Sequence, residues 1–293
     1  MTSVVSAGLR QRLKEVAQRL SEAGIEAPQT EAEGLIGTAV GIKQRHALYG
    51  NERDLNLEEI ERLEALVRRR VNGEPLQYIT GEAAFRLLTL EVDRRALIPR
   101  PETEGLVEVV LQLMGSNQRA VVLDAGTGCG PIALSLAIEC PAWTILAADA
   151  SPAALELARE NADRYDLRQI QWFEADVTKL EFWRMLPPLD LLISNPPYVT
   201  EKEWEQLPAE IRDYEPRCAL VAGGEGLDVV GPLLEGAAMR LKPGGLFAVE
   251  IGETQGDAVT ALARAAGLVD ARVAPDLSGR PRYIIARQKT GAH

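Results

Sequence analysis

The sequence predicts an α/β protein: an open, mostly parallel sheet covered by helices, preceded by a small helical domain. Three observations predict it. From residue 120 onward, short apolar runs alternate with stretches of helical period, as βαβ units do. Two of those runs stop abruptly, one at Asp124 before a glycine-rich turn and one at Ile193 before Ser194-Asn195-Pro196-Pro197-Tyr198. Residues 9–71, by contrast, repeat an apolar spacing of helical type. At 293 residues, 46% apolar and 26% charged, the chain can bury one large core and a second, smaller one.

In the N-terminal part, Leu9, Leu13, Val16, Ala17 and Leu20 recur at helical spacing until Gly24. Residues 30–40 and 57–71 repeat the pattern, the latter with Ile60, Leu63, Leu66 and Val67 on one face. These segments predict a helical domain over residues 1–73. Arg68-Arg69-Arg70 closes its last helix, where a basic run complements the helix dipole and is expected to stay solvated rather than to bind nucleic acid. Residues 74–98 break the period and read as a linker with a hairpin over residues 85–92. The third region, residues 99–293, opens with a helix that begins near Pro101, backed by Glu102 and Glu104 and continued by Leu106, Val107, Val110 and Leu111.

The run 120–124 is a strand that turns through Ala125-Gly126-Thr127-Gly128-Cys129-Gly130 into a helix over 131–138. A strand, a tight glycine turn and a helix N-terminus let a ligand approach the backbone closely and meet unsatisfied N–H groups. The next strand, 144–148, ends in Asp149, where an open α/β sheet hydrogen-bonds a ribose diol. A third strand, 170–175, ends in Asp176-Val177, which suits an adenine lying on Val177 and bonded to Asp176. The fourth strand delivers Asn195. Neither proline after it can donate to a sheet ladder, so this strand opens into a stiff loop. Asn195 and the Pro196 carbonyl can each accept one N–H, while Pro197 and Tyr198 complete a wall against a planar, nitrogen-bearing group. Residues 200–218 form a long polar segment expected to act as a lid or substrate-binding wall. Helices over 229–241 and 260–266 and strands over 246–251, 271–274 and 282–286 complete the domain.

The formal net charge of −11 argues against sequence-independent nucleic-acid binding, which needs a basic surface. The first 80 residues hold 11 basic and 12 acidic side chains and the remainder 21 and 31, so the acidity belongs to the larger part and favours a basic partner or a cationic cofactor. Cys129, Cys140 and Cys218 show no paired spacing, and the histidines are His46 and His293, so neither a metal site nor a disulfide framework is expected. A reducing cytoplasm is the expected setting, since no apolar run reaches the roughly 18 residues of a membrane span and the first 20 residues do not read as a signal peptide.

The glycine turn, the acidic strand tip and the Asn-Pro-Pro-Tyr strand end resemble the class I (Rossmann-like) methyltransferases with a seven-stranded sheet that use S-adenosyl-L-methionine. The resemblance extends to the helical domain, to Glu74-Pro75-Leu76-Gln77-Tyr78-Ile79-Thr80-Gly81, to Ile98-Pro99-Arg100-Pro101-Glu102-Thr103-Glu104, to the turn 223–228 and to Glu250-Ile251-Gly252-Glu253-Thr254-Gln255-Gly256. Together these look like the release factor glutamine methyltransferases. That resemblance implies methylation at N5 of the glutamine in the Gly-Gly-Gln loop of class I peptide chain release factors. By position, Gly126, Thr127, Gly128, Cys129 and Gly130 would line the methionine part of the cofactor, Asp149 would bind the ribose, and Asp176 and Val177 would border the adenine. Asn195, Pro196, Pro197 and Tyr198 would hold the substrate amide. Two departures stand out: Cys129 replaces the family's usual Ser or Thr, and Phe85-Arg86-Leu87-Leu88 lacks the glycine that usually follows this phenylalanine.

A carboxamide nitrogen is a poor nucleophile because its lone pair is delocalised into the carbonyl. Asn195 and the Pro196 carbonyl, accepting its two hydrogens, would orient the lone pair and stabilise the positive charge that develops on it. Two rivals share these motifs. An adenine methyltransferase acting on DNA or RNA would use the same tetrapeptide on an exocyclic amine, against which the acidity weighs. A non-catalytic cofactor-binding module that regulates translation would not need Asn195 and Tyr198 beside a complete glycine turn.

Overall fold

The computed structural model describes residues 8–42, 45–49, 53–116 and 118–290. The chain divides into two compact units: residues 1–82 with 208–214, and residues 83–207 with 215–293.

The first unit is helical. Helices Leu9–Glu22, Pro28–Val40 and Leu57–Val71 pack Leu13, Val16, Leu20, Leu35, Ile36, Leu63 and Val67 into one core. A capping box starts the third: the Asn56 side chain accepts from the Glu59 N–H, and Glu59 accepts from the Asn56 N–H. A short helix, Leu76–Thr80, follows and ends on Gly81 in the left-handed region. The basic run does not behave as one solvated face. Arg69 pairs with Glu74 at 2.8 Å, while Arg70 is 6% exposed, bonded to Glu31 at 2.5 Å, to Glu210 at 3.3 Å and to the Glu74 carbonyl at 3.2 Å. A buried guanidinium needs such partners, so Arg70 serves the packing of this unit.

Apart from Glu82, the second unit holds a hairpin, β1 (Glu82–Phe85) and β2 (Leu88–Glu91), and all of a seven-stranded sheet. The sheet strands are β3 (Val121–Ala125), β4 (Thr144–Asp149), β5 (Gln171–Glu174), β6 (Leu189–Ser194), β7 (Leu241–Glu250), β8 (Val269–Pro275) and β9 (Pro281–Arg287). Their order is β5-β4-β3-β6-β7-β9-β8, parallel from β5 to β7, with β9 antiparallel to both β7 and β8. The central residues of β3, β4 and β6 are buried on both faces of the sheet, and most of them are apolar. Among the described residues no helix is long and apolar enough to cross a membrane.

Helix Leu180–Met185, unread in the sequence, buries Phe182 and Trp183 against Leu233, Leu234 and Phe247. The segment 200–219 is not a bare loop: it carries helices Glu201–Trp204 and Ala209–Arg212 and a 3-10 turn at Arg217–Ala219.

The strand order reverses between β3 and β6. Successive strands step outward through β4 and β5 on one side, and through β7 on the other. In open α/β sheets the ligand crevice lies outside the carboxyl ends of the strands at such a point. Register brings Asp124 of β3 opposite Ile193 of β6, so the glycine turn and Asn195 leave the sheet side by side.

Candidate active site

A cavity of about 440 Å³ opens at this switch point, within the usual range for a small-molecule site. Gly126, Thr127, Gly128, Cys129, Asp149, Asp176, Val177, Asn195, Pro196 and Pro197 line it. Two residues expected there do not. Gly130 packs behind the turn, where at φ +93 an added Cβ would meet Leu134 at 2.4 Å. Tyr198 turns its hydroxyl to Glu250 at 3.3 Å instead of facing the cavity.

Four N–H groups of the glycine turn are engaged within the protein rather than free for a ligand. The N–H groups of Gly126 and Thr127 both donate to the Ala148 carbonyl, that of Gly128 to Asp149 at 2.9 Å, and that of Gly130 to the Thr127 carbonyl. What the turn offers is space: a Cβ on Gly126 or Gly128, both at positive φ, would meet nothing within 4 Å. Behind it, the fully buried Asp124 accepts from Thr127 Oγ1 at 2.6 Å and from the Ala133 N–H at 3.1 Å, bracing the turn against the next helix. Burial pushes its carboxyl up to about 7 despite those bonds. Burial also raises the Cys129 thiol to about 12 and keeps it neutral, so Cys129 is a small packed side chain.

Asp149 ends β4 and accepts from Gly128 N–H and Ser151 N–H, both at 2.9 Å. These bonds lower its carboxyl, but burial outweighs them and the net shift is upward. Asp176 is held below the usual carboxylate range, chiefly by the Thr178 hydroxyl at 2.6 Å.

Asn195 follows Ser194, whose hydroxyl donates to the Ala125 carbonyl at 2.5 Å and ties β6 to β3. Its Nδ2 donates to Thr103 Oγ1 at 2.9 Å, and Thr103 Oγ1 donates to Glu250 Oε2 at 2.7 Å. Gln255 braces the loop from below, donating to the Tyr198 carbonyl at 3.0 Å and the Gly226 carbonyl at 3.1 Å while accepting from the Gly252 N–H at 2.9 Å. The loop before helix Pro101–Met114 supplies Ile98 and Arg100 to the cavity, the first turn of that helix supplies Thr103, and Pro216, Cys218 and Ala219 close another side. Glu215 is buried and anchors both walls, accepting from the Ile98 N–H at 3.1 Å and pairing with Arg100.

Sequence reasoning missed Thr103, Asp124, Glu215, Glu250 and Gln255. Glu250 was within reach of it, since an acidic residue at a strand tip is the signal that singled out Asp149.

The glycine-lined cavity at the switch point, with acidic tips on one side and an amide on a proline-stiffened loop on the other, defines a class I methyltransferase. Residues 105–225 match the family model of the methyltransferase small domain, and residues 11–81 that of the PrmC N-terminal domain. A methyltransferase from Pyrococcus furiosus shares the fold at a TM-score of 0.52, with 17% identity over 76% of this chain and 97% of that one. The release factor glutamine methyltransferase of Moorella thermoacetica is 42% identical over 286 residues, spanning 96% of this chain and 99% of its own length. That of Koribacter versatilis is 37% identical over 283 residues, spanning 96% and 99%. The chain belongs to the release factor glutamine methyltransferase family.

Proposed function

We propose that this enzyme methylates N5 of the glutamine in the Gly-Gly-Gln loop of class I peptide chain release factors, with S-adenosyl-L-methionine as methyl donor, in the cytoplasm. The observation that carries the reading is the Asn195 carboxamide. Its nitrogen end is taken by Thr103, and among the described residues its oxygen accepts no hydrogen bond at the cavity wall.

The cavity residues fit the cofactor. Gly126 and Gly128 leave a cradle that side chains would fill, Asp149 keeps lone pairs for a ribose diol, and Val177 offers an apolar face beside the Asp176 carboxylate. When bound, the cofactor supplies an electrophilic methyl group on a sulfonium. The protein's task is then to make an amide nitrogen nucleophilic. Asn195 Oδ1 and the Pro196 carbonyl accept the two amide hydrogens, fix the plane of the group and stabilise the charge that builds on nitrogen. The two prolines hold these acceptors without a conformational cost at the moment of reaction.

Labelled S-adenosyl-L-methionine offered with a purified release factor, its Gln-to-Ala variant and duplex DNA tests this. Label on the native release factor alone is expected. Label on DNA alone overturns the reading in favour of adenine methylation.

A further inference from the structure

A carboxamide is nearly symmetric in shape and opposite in polarity at its two ends. Turned over, Asn195 would present two N–H donors to a substrate nitrogen that is itself a donor, and the contact would be repulsive. Thr103 alone cannot choose between the orientations, because a hydroxyl both donates and accepts. Glu250 can. Its carboxylate only accepts, so it takes the single proton of Thr103 at 2.7 Å and leaves that oxygen with lone pairs toward Asn195. Only Nδ2 satisfies those lone pairs, at 2.9 Å, and Oδ1 is thereby turned to the cavity. Thr103 is 3% exposed and Glu250 1%, so water does not compete for these bonds.

We propose that Thr103 and Glu250 are positioning residues that set the polarity of Asn195 through this three-member hydrogen-bond chain. The inference rests on the reading of Asn195 as the substrate-amide acceptor. Tyr198 belongs to the same chain, since its hydroxyl donates to the second oxygen of Glu250. Desolvation by burial raises the Glu250 carboxyl to about 7, with Glu102 pushing the same way, while Thr103, Arg282 and Tyr198 pull it down; Tyr283 also faces this group, and Arg100 faces Tyr198. A protonated Glu250 can donate to Thr103, which then donates to Asn195 and reverses it. Turnover therefore rises with pH as Glu250 ionises.

The test compares wild type with Thr103→Val, Thr103→Ser, Glu250→Gln and Asn195→Ala, using a release factor and S-adenosyl-L-methionine across neutral pH. Binding of S-adenosylhomocysteine by calorimetry and the melting temperature serve as controls. Thr103→Val should lose kcat by about tenfold or more with cofactor affinity and melting temperature near native. Thr103→Ser should recover it, and Glu250→Gln should lose the rise of kcat near pH 7. Native kcat in Thr103→Val, or a loss matched by weaker cofactor binding or a lower melting temperature, overturns the chain. If Asn195→Ala is inactive in that case, the site reading survives; if Asn195→Ala turns over normally, the site reading itself has failed.

Discussion

Replacing Arg86 by glycine sets backbone strain against an ion pair. Arg86 lies in the two-residue turn between β1 and β2 at φ +50, in the left-handed region. There a Cβ costs about 1 kcal/mol that glycine avoids. Glycine would suit the backbone at this position. Against this, Arg86 Nε and Nη2 grip both oxygens of Glu139 at 2.6 and 2.7 Å, with further bonds to Glu108 at 3.2 Å and the Glu104 carbonyl at 3.3 Å. The two side chains are 14% and 17% exposed, so the bidentate pair is only partly screened and contributes about 2–3 kcal/mol. The ion pair wins: Arg86→Gly should destabilise the enzyme by about 1–2 kcal/mol, or about 2–8 °C in melting temperature for a domain of this size. Urea unfolding with an unchanged m-value checks it, and added salt should narrow the gap. A variant as stable as wild type, or more so, would mean that relief of backbone strain outweighs the lost ion pair, contrary to this expectation. The cavity wall is not at stake, because Phe85 is fully buried and Arg86 does not line the site.

Three further outcomes follow from the site. Asn195→Ala should cut turnover by about a hundredfold or more with S-adenosylhomocysteine affinity kept, as steady-state rates and calorimetry would show. Asp149→Asn should do the reverse in emphasis, weakening cofactor binding by about tenfold to a hundredfold, because one charged acceptor serving a diol and two backbone N–H groups becomes a neutral one. Stability should fall as pH rises from about 5 to about 8. Asp124 and Glu250 are both raised to about 7, so across that window the folded state holds protons the unfolded chain has released, and the difference vanishes above it. Melting curves across this range measure the slope, Asp124→Asn should flatten it, and a melting temperature that climbs with pH would contradict the shifts.

The parallel strands were legible because burial on both faces makes each one a short apolar run, and the turns that end them carry glycine, proline or an acid. Leu180–Met185 was not: six residues show less than two helical turns, and what fixes the helix is the burial of Phe182 and Trp183 against elements distant in sequence. The site was legible in the same uneven way. Asp149 and Asn195 announce themselves by position at strand ends. Thr103 lies 92 residues from Asn195 and 147 from Glu250, and its part depends on which atom donates to which, a property no local pattern carries. The behaviour of Arg70 was hidden for a similar reason. A basic run at a helix end looks solvated until Glu31 and Glu210 close over one member of it.

The strand order explains why the amide-binding residue stands on β6. The tips of β3, β4 and β5 carry the glycine turn, Asp149 and the approach to Asp176, the residues proposed to hold the cofactor. The tip of β7 carries Glu250, which does not line the cavity and acts only through Thr103 and Tyr198. Among the described residues, β6 is the one strand hydrogen-bonded to both β3 and β7. A residue leaving its end meets the glycine turn and acidic tips on one side and the proposed orienting chain on the other, and the two prolines keep it from relaxing toward either. The separation has a kinetic meaning. Changes at the tips of β4 and β5 should act on cofactor affinity and changes at the tip of β7 on turnover, with Asn195 standing where the two effects would join in one transition state.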